Sequence, residues 1–239
     1  HFKTHRSVAI GNWFRQAGIN AITVSSVEMA QMFANGGWED ILIAFPVNFS
    51  ELSEINKLAA TCKLGLTVSC YQAADLLSGR IHEAVDVWLK IDVGTHRTGF
   101  DPLQTNALVR SFKHLSNDPF ITVKGVLAHA GHTYQARSHQ EIVRIYDDRR
   151  GILQACVNEL HHSLPDAGKL LISWGDTPSC SILDRFEGID EIRPGNFVFY
   201  DQMQLSLGVC HPPDIAASVS APVVALHPER EEVVVYAGA

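Results

Sequence analysis

The sequence predicts an α/β fold, a TIM-type (β/α)8 barrel followed by the start of a mostly β C-terminal domain. Short apolar, β-branched segments alternate with longer segments of helical period, which is typical of βα units around a parallel sheet. Seven such strands follow one another, and a first strand that ends near Lys3 would bring the number to the eight that a barrel needs. Polar or glycine-containing turns follow several of these strands, where barrel enzymes keep their active sites.

The strand segments are rich in Val, Ile and Leu, as buried parallel strands are. They are Ala21–Ser25, Ile41–Phe45, Leu64–Ser69, Val85–Val93, Ile121–His129, Leu170–Ser173 and Ile189–Arg193. The helical segments between them are Val27–Ala34, Glu51–Ala60, Tyr71–Leu77, Pro102–Leu115 and His139–His161.

The pattern changes near Gln202. The segments Leu205–Val209, Ile215–Ala225 and Val233–Tyr236 are typical of antiparallel strands. We therefore expect residues 1–201 to form the barrel, with its N-terminal part missing, and residues 202–239 to begin an incomplete β domain. An unpaired strand at Val233–Tyr236 favours aggregation, so the 239-residue chain is expected to be poorly soluble or inactive by itself.

The composition argues against a nucleic-acid-binding or membrane protein. The chain of 239 residues has a net charge of −7 and no cluster of Lys and Arg, which argues against binding to nucleic acid or to an anionic membrane. Five cysteines form no CxxC pair, so a reduced, cytoplasmic setting is expected. No apolar run reaches membrane-spanning length.

Lys3 is the candidate nucleophile. A lysine forms a useful Schiff base with pyridoxal 5'-phosphate (PLP) only when a rigid site holds the cofactor's phosphate, ring oxygen and ring nitrogen. Phe2 is expected to desolvate the amine and Arg6 to repel its proton, and both effects lower the pKa of a lysine. The alternative is a solvated surface lysine.

Arg97 follows a strand that runs into a glycine turn, in the segment KIDVGTHRTGF. An arginine here is placed to donate to the phenolate oxygen of PLP. The alternative is a structural salt bridge to Asp92 or Asp101.

The segment HAGHTY supplies His129, His132 and Tyr134. The HxxH spacing suggests a metal pair, but no helix aligns the two rings and no third ligand stands nearby, so we predict no metal ligands in this chain. Tyr134 is placed to hydrogen-bond the cofactor ring or stack on it, and the alternative is a buried tyrosine with a satisfied hydroxyl.

Two glycine turns are candidates for binding phosphate. Gly175-Asp176-Thr177 follows the seventh strand and Gly195-Asn196 follows the eighth, the usual position of the phosphate site in barrel enzymes. Glycine lets backbone N–H groups approach an anion, and the hydroxyl of Thr177 adds a donor.

Together the segments HFKTHRS, KIDVGTHRTGF, HAGHTY, SWGDTPSCS and EIRPGNFVFYD resemble the fold-type III PLP enzymes related to D-serine dehydratase and D-threonine aldolase, which share an alanine racemase-like barrel. The resemblance implies that Lys3 is the Schiff-base lysine and that Arg97 faces the PLP phenolate. It places Tyr134, or alternatively Arg193, near the ring nitrogen. It assigns the phosphate to Thr177, Gly195 and Asn196, and His129 lies among these cofactor-binding residues.

The resemblance also implies an activity. A PLP-dependent lyase acting on a D-β-hydroxy amino acid is expected, by β-elimination of the D-serine dehydratase kind. The alternatives are a D-threonine aldolase, an amino-acid racemase or a non-catalytic PLP-binding protein. Family members carry a divalent metal, zinc or manganese, which is expected outside this segment because Cys210-His211 lacks the required spacing. A homodimer is also implied.

Overall fold

A computed structural model describes residues 1–237; Gly238 and Ala239, at the end of the chain, lie outside the described residues. The α-helices are α1 (Val8–Gln16), α2 (Val27–Asn35), α3 (Leu52–Ala59), α4 (Tyr71–Leu77), α5 (Thr105–Ser116), α6 (His139–Ser163), α7 (Thr177–Ile182) and α8 (Gln202–Ser206). The strands are β1 (Ala21–Val24), β2 (Asp40–Pro46), β3 (Lys63–Val68), β4 (Val85–Lys90), β5 (Ile121–Ala128), β6 (Leu171–Trp174), β7 (Glu191–Ile192), β8 (Val223–His227) and β9 (Glu232–Val235).

Strands β1 to β7 form one parallel sheet in chain order. Each of the strands β1 to β6 is followed by a helix before the next strand of the sheet begins, so every connection within the sheet contains a helix. All seven predicted strand segments and all five predicted helical segments are present, with ends that differ by a few residues. The α/β fold class of the TIM-barrel type is therefore confirmed.

Side chains alternate between the two faces of the sheet, as the period of a strand requires. Ile41 and Ile43 of β2 belong to the main core that the helices cover. Leu42 of β2, Trp88 of β4 and Leu127 of β5 form a separate cluster on the opposite, inner face. Trp88 shares that face with Lys90, two residues further along the same strand.

The first three residues lie between β1 and β7. The backbone nitrogen of Phe2 donates to the carbonyl of Thr23 (2.8 Å), and that of His1 donates to the carbonyl of Pro194 (2.7 Å). Residues 2–5 then form a turn rather than a strand end. These contacts place Lys3 at the carboxyl-terminal edge of the sheet.

The expected environment of Lys3 was partly wrong. The ring of Phe2 is buried against Phe14, Phe33 and Trp38, while Lys3 itself is exposed, so Phe2 fixes the turn but does not enclose the amine. The Arg6 guanidinium lies 3.5 Å from the Glu28 carboxylate on the surface.

The segment after the barrel also required correction. The predicted strand at Leu205–Val209 is wrong, because the Asp201 side chain accepts from the Gln204 nitrogen (2.9 Å) and starts α8 there. Within Ile215–Ala225, strand β8 begins only at Val223. The strand predicted at Val233–Tyr236 corresponds to β9, which pairs antiparallel with β8 in a separate two-stranded sheet.

Candidate active site

The predicted site residues meet at one place. A cavity of about 150 Å³ lies at the carboxyl-terminal edge of the sheet, and all eight predicted residues line it. They are Lys3, Arg97, His129, Tyr134, Thr177, Arg193, Gly195 and Asn196. They come from the ends of five chain segments, which only the parallel arrangement of the strands brings together.

The cavity is rich in cationic groups. Lys3, Lys90, Arg97 and Arg193 line it, and Asp176 is the acidic side chain among its lining residues. Lys90 is 4% exposed, and burial, followed by the positive charges of Arg193 and Arg97, lowers its pKa to about 7. The positive potential that disfavours a proton on Lys90 favours an anionic ligand.

Arg193 is fixed from three sides. Its Nε donates to Ser173 Oγ (2.6 Å) and one terminal nitrogen donates to the Ala128 carbonyl (2.7 Å). The Glu191 carboxylate lies 3.5 Å from its Nε and also hydrogen-bonds to Ser173. The other terminal nitrogen approaches Gly175, where an added Cβ would lie only 2.8 Å away. Gly175 is therefore required for the guanidinium to reach this position.

His129 is a neutral ring in the cavity wall. Its Nδ1 lies 2.6 Å from the Gly175 carbonyl, so Nδ1 carries the proton and donates, while Nε2 is left unprotonated. Burial, with a further contribution from the Arg97 charge, lowers the pKa of His129 to about 3. The ring therefore stays uncharged at neutral pH, and its centroid lies 6.1 Å from that of Tyr134.

The two glycine turns converge on Thr177. The Thr177 hydroxyl oxygen accepts from the Asn196 nitrogen (3.0 Å) and, more weakly, from the Gly195 nitrogen (3.4 Å). The Thr177 nitrogen donates to the Tyr134 hydroxyl (3.1 Å). Hydrogen bonds through Thr177 thus hold the two turns together, so that the backbone nitrogens of Gly195 and Asn196 lie close to the Thr177 hydroxyl, as residues of a phosphate site do. The contact with Thr177 places Tyr134 beside this donor cluster.

Asp176 is a structural acid in this wall. It caps the first turn of α7, where its carboxylate accepts from the Ser179 nitrogen (2.7 Å) and hydroxyl (2.6 Å). The Thr133 hydroxyl donates to the same carboxylate (3.0 Å). Burial raises the pKa of Asp176. These contacts show that the carboxylate holds the turn in place.

Arg97 lies on an exposed loop, and within residues 1–237 it forms no ion pair. The alternative partner Asp92 instead accepts from the backbone nitrogens of Gly94 and His96 (both 3.0 Å). Asp101, the other alternative, accepts from Leu103 and Gln104. The guanidinium of Arg97 thus faces the cavity without a protein anion beside it.

The two histidines of the HxxH segment point to different surroundings. His129 lines the cavity, whereas His132 contacts Thr95 and Arg149 outside it. Among the residues that the structure describes, no three His, Cys, Asp or Glu side chains are grouped so that they could hold a metal ion.

Lys90 is a charged cavity residue that was not predicted from the sequence. The signal was present, because alternation in β4 places Asp86, Trp88 and Lys90 on the same inner face, and a lysine at the end of a buried strand is unusual. The capping role of Asp176 was also predictable, because an Asp before Thr-Pro at the start of a helix is a capping signal.

The sequence matches the profile of a known protein family. A family profile described as "Alanine racemase, N-terminal domain" matches residues 2–202. The chain belongs to this family. No helix within residues 1–237 combines the length and apolar character needed to cross a bilayer.

Two curated relatives match the whole chain. D-threo-3-hydroxyaspartate dehydratase of Delftia sp. (strain HT23) is 32% identical over 243 residues, which cover 63% of that protein. D-serine dehydratase of Dictyostelium discoideum is 30% identical over 266 residues, which cover 64% of that protein. The chain therefore spans a little under two thirds of the length of these relatives.

Solved structures agree on the fold. The structure of D-threo-3-hydroxyaspartate dehydratase from Delftia sp. HT23 superimposes with a TM-score of 0.84 at 31% identity, covering 96% of this chain and 61% of the other. A solved mutant of that enzyme is described as a metal-free form. D-threonine aldolase from Filomicrobium marinum, at 20% identity and a TM-score of 0.77 over 98% of this chain and 64% of its own, supports the fold alone.

Proposed function

We propose that the intact protein is a PLP-dependent lyase that removes water from a D-β-hydroxy amino acid. One observation carries this proposal: the eight residues chosen from the sequence line a single cation-rich cavity at the carboxyl ends of the strands. The similarity to a D-serine dehydratase and to a D-threo-3-hydroxyaspartate dehydratase supports the same reaction class.

The donor set fits PLP. Thr177, Gly195 and Asn196 would hold the phosphate, since hydrogen bonds already bring the two turns together in the cavity wall. Arg97 would face the ring oxygen, because its guanidinium lines the cavity without a protein anion. Tyr134, or alternatively the fixed guanidinium of Arg193, would face the ring nitrogen. His129 presents an uncharged ring in the cavity wall, and Lys3 would carry the cofactor.

The chain's own residues then have defined tasks. PLP, when bound, supplies an electron sink for the charge left at Cα. Lys3 would accept the α-proton once its amine is released from the cofactor, since its side chain lines the cavity. The rigid hydrogen bonds of Arg193 and Asp176 keep the surrounding donors in place. Loss of water followed by uptake of water gives a 2-oxo acid and ammonia as net products.

The arrangement of the whole protein is also proposed. Residues 1–201 form the cofactor-binding barrel, and residues 202–239 begin a β domain, which the separate β8–β9 sheet supports. A zinc or manganese ion would be held outside this segment, because the described residues do not supply a ligand set, and no step is derived through it. A cytoplasmic homodimer completes the proposal.

Borohydride reduction followed by peptide mapping tests the role of Lys3. We expect full-length protein to bind PLP and to carry the reduced label on Lys3. Lys90 is the competing lysine in the same cavity, so a label on Lys90 would overturn the assignment. Lys113→Met, at an exposed position of α5, serves as the matched control and keeps the label on Lys3.

Product analysis tests the reaction. Full-length protein should release ammonia with pyruvate from D-serine, or with oxaloacetate from D-threo-3-hydroxyaspartate. Glycine from D-threonine would show an aldolase instead, and L-alanine from D-alanine would show a racemase. If the protein binds PLP but converts none of these compounds, the result would indicate a non-catalytic PLP-binding protein.

A further inference from the structure

His132, the second histidine of the HAGHTY segment, sits in a chain of hydrogen bonds outside the cavity. The Arg149 Nε on α6 donates to His132 Nε2 (3.2 Å). On the other side of the ring, Nδ1 lies 3.5 Å from the Thr95 hydroxyl, at the long limit for a hydrogen bond. Thr95 in turn donates to the His129 carbonyl (3.1 Å).

This pattern fixes the protons. Thr95 has one hydroxyl proton, which it donates to the His129 carbonyl. The hydroxyl oxygen of Thr95 therefore acts as the acceptor for the N–H at His132 Nδ1. His132 Nε2 must then be unprotonated, because it accepts from Arg149. A neutral His132 therefore joins helix α6 to the loop between β4 and α5.

We propose that neutral His132 is a positioning residue that holds the Arg97 loop, residues 93–99, against the wall of the cavity. Thr95 stands two residues before Arg97, so anchoring its side chain limits where the guanidinium lies. The role of Arg97 toward the PLP ring oxygen rests on the proposed function. The anchoring itself does not depend on it.

The geometry of the loop supports this proposal. Its two ends are tied by backbone bonds, from Phe100 to the Lys90 carbonyl (2.7 Å) and from Asp92 to the Phe100 carbonyl (2.9 Å). Between these ends, Thr95 reaches across to the HAGHTY segment. Gly131 permits this approach, since a Cβ at that position would lie 3.0 Å from the Thr95 methyl group. Gly131, Thr95 and His132 therefore pack together where the loop meets the HAGHTY segment.

The charge of His132 decides whether the contact holds. A second ring proton would put an N–H at His132 Nε2, where it would face the Nε–H of Arg149 and replace the hydrogen bond by a repulsive contact. It would also place the positive charges of His132 and Arg149 side by side. Burial and the Arg149 charge lower the pKa of His132, and Asp92 raises it. The other charged groups around the shallow cavity beside His132 are Arg137, Glu141 and Arg144. The ring is therefore neutral at pH 7 and becomes charged only in acid.

Hydrogen–deuterium exchange on the full-length protein without cofactor tests the anchoring. Thr95→Val, nearly the same shape without the hydroxyl, and His132→Ala should speed exchange in residues 93–99 roughly two- to tenfold, the range for losing one hydrogen bond. His132→Gln, whose amide oxygen still accepts from Arg149, should largely restore slow exchange. His162→Ala, at an exposed histidine of α6, is the control and should change nothing.

Acid pH gives a second, independent readout. After correction for intrinsic rates, exchange in residues 93–99 of the wild type should rise in acid, as the pH falls below the ordinary pKa of histidine. His132→Gln should lack this rise because its side chain does not titrate. The PLP dissociation constant of Thr95→Val should increase roughly two- to tenfold.

Two results would overturn the anchoring. One is that residues 93–99 exchange at the wild-type rate in Thr95→Val. The other is that the rise of their exchange rate in acid is as large in His132→Gln as in the wild type. Failure of the wild type to bind PLP would instead count against the proposed function.

Discussion

Single residues show how much of the site is prepared before any ligand enters. Gly175 leaves room for Arg193, Arg193 is fixed by Ser173 and Ala128, and His129 donates to Gly175. Each of these contacts joins residues from different βα units of the sheet, and Arg193 itself is buried. Because unpaired buried polar groups are costly, replacing one member disturbs the others.

Lys90 provides a pH-dependent prediction. Its folded-state pKa is depressed to about 7 from 10.5, so the unfolded chain binds more protons between these values. Stability therefore rises with pH in this window, by at most ~1.4 kcal/mol per pH unit, and is lost as pH falls toward 7. Lys90→Met should remove this slope from the free energy of unfolding of cofactor-free protein.

Urea denaturation at several pH values between 7 and 10 measures the effect as the difference between wild type and variant. Taking the difference cancels the thiols and tyrosines that titrate in the same range. Lys113→Met, at an exposed position of α5, should keep the wild-type slope. Parallel curves for wild type and Lys90→Met would show that Lys90 stays charged in the folded protein.

Short elements carry the site. Helix α7 has only six residues, yet its first residue, Thr177, is completely buried between the two glycine turns. A helix this short is marginal by itself, so its cap and tertiary contacts hold it. The contact between Thr133 and Asp176 links the HAGHTY segment to this helix.

Asp176→Ala should destabilise the fold by about 2–4 kcal/mol, because it removes the α7 cap and leaves the nitrogen and the hydroxyl of Ser179 without their acceptor. Urea denaturation gives the free energy of unfolding. Asp147→Ala, at an exposed acid on α6, should change it by less than about 0.5 kcal/mol. An equal decrease in the free energy of unfolding of the two variants would mean that the Asp176 contacts do not stabilise the native state.

At the scale of the whole molecule, the barrel segment and the β8–β9 hairpin differ sharply in burial. The hairpin leaves large apolar side chains exposed, including Leu226 at 65% and Tyr236 at 79%. Exposed apolar strands favour association. In the intact protein we expect these side chains to be covered.

The 239-residue chain should therefore self-associate with rising concentration in sedimentation velocity experiments. Val224→Lys combined with Leu226→Lys should reduce this association, since both side chains are exposed on β8. Gln140→Lys combined with Asn158→Lys adds the same charge at exposed polar positions of α6 and should leave it unchanged. Equal effects of the two pairs would indicate that net charge, and not the hairpin, controls association.

The sequence by itself determined the order of strands and helices in the barrel, because alternating apolar segments and helix caps are local signals. It also selected eight residues that line the cavity, seven of which, all but Lys3, lie in segments that follow a strand. It failed at Leu205–Val209, where a capping Asp201 outweighed β propensity.

Only the tertiary structure decided how these residues face one another. The burial of Lys90, the fixed guanidinium of Arg193 and the placement of Tyr134 beside Thr177 depend on contacts between segments far apart in the chain. The same is true of the separation of His129 from His132. Hydrogen-bond partners and local electric fields are set by neighbours in space, which spacing along the sequence does not encode.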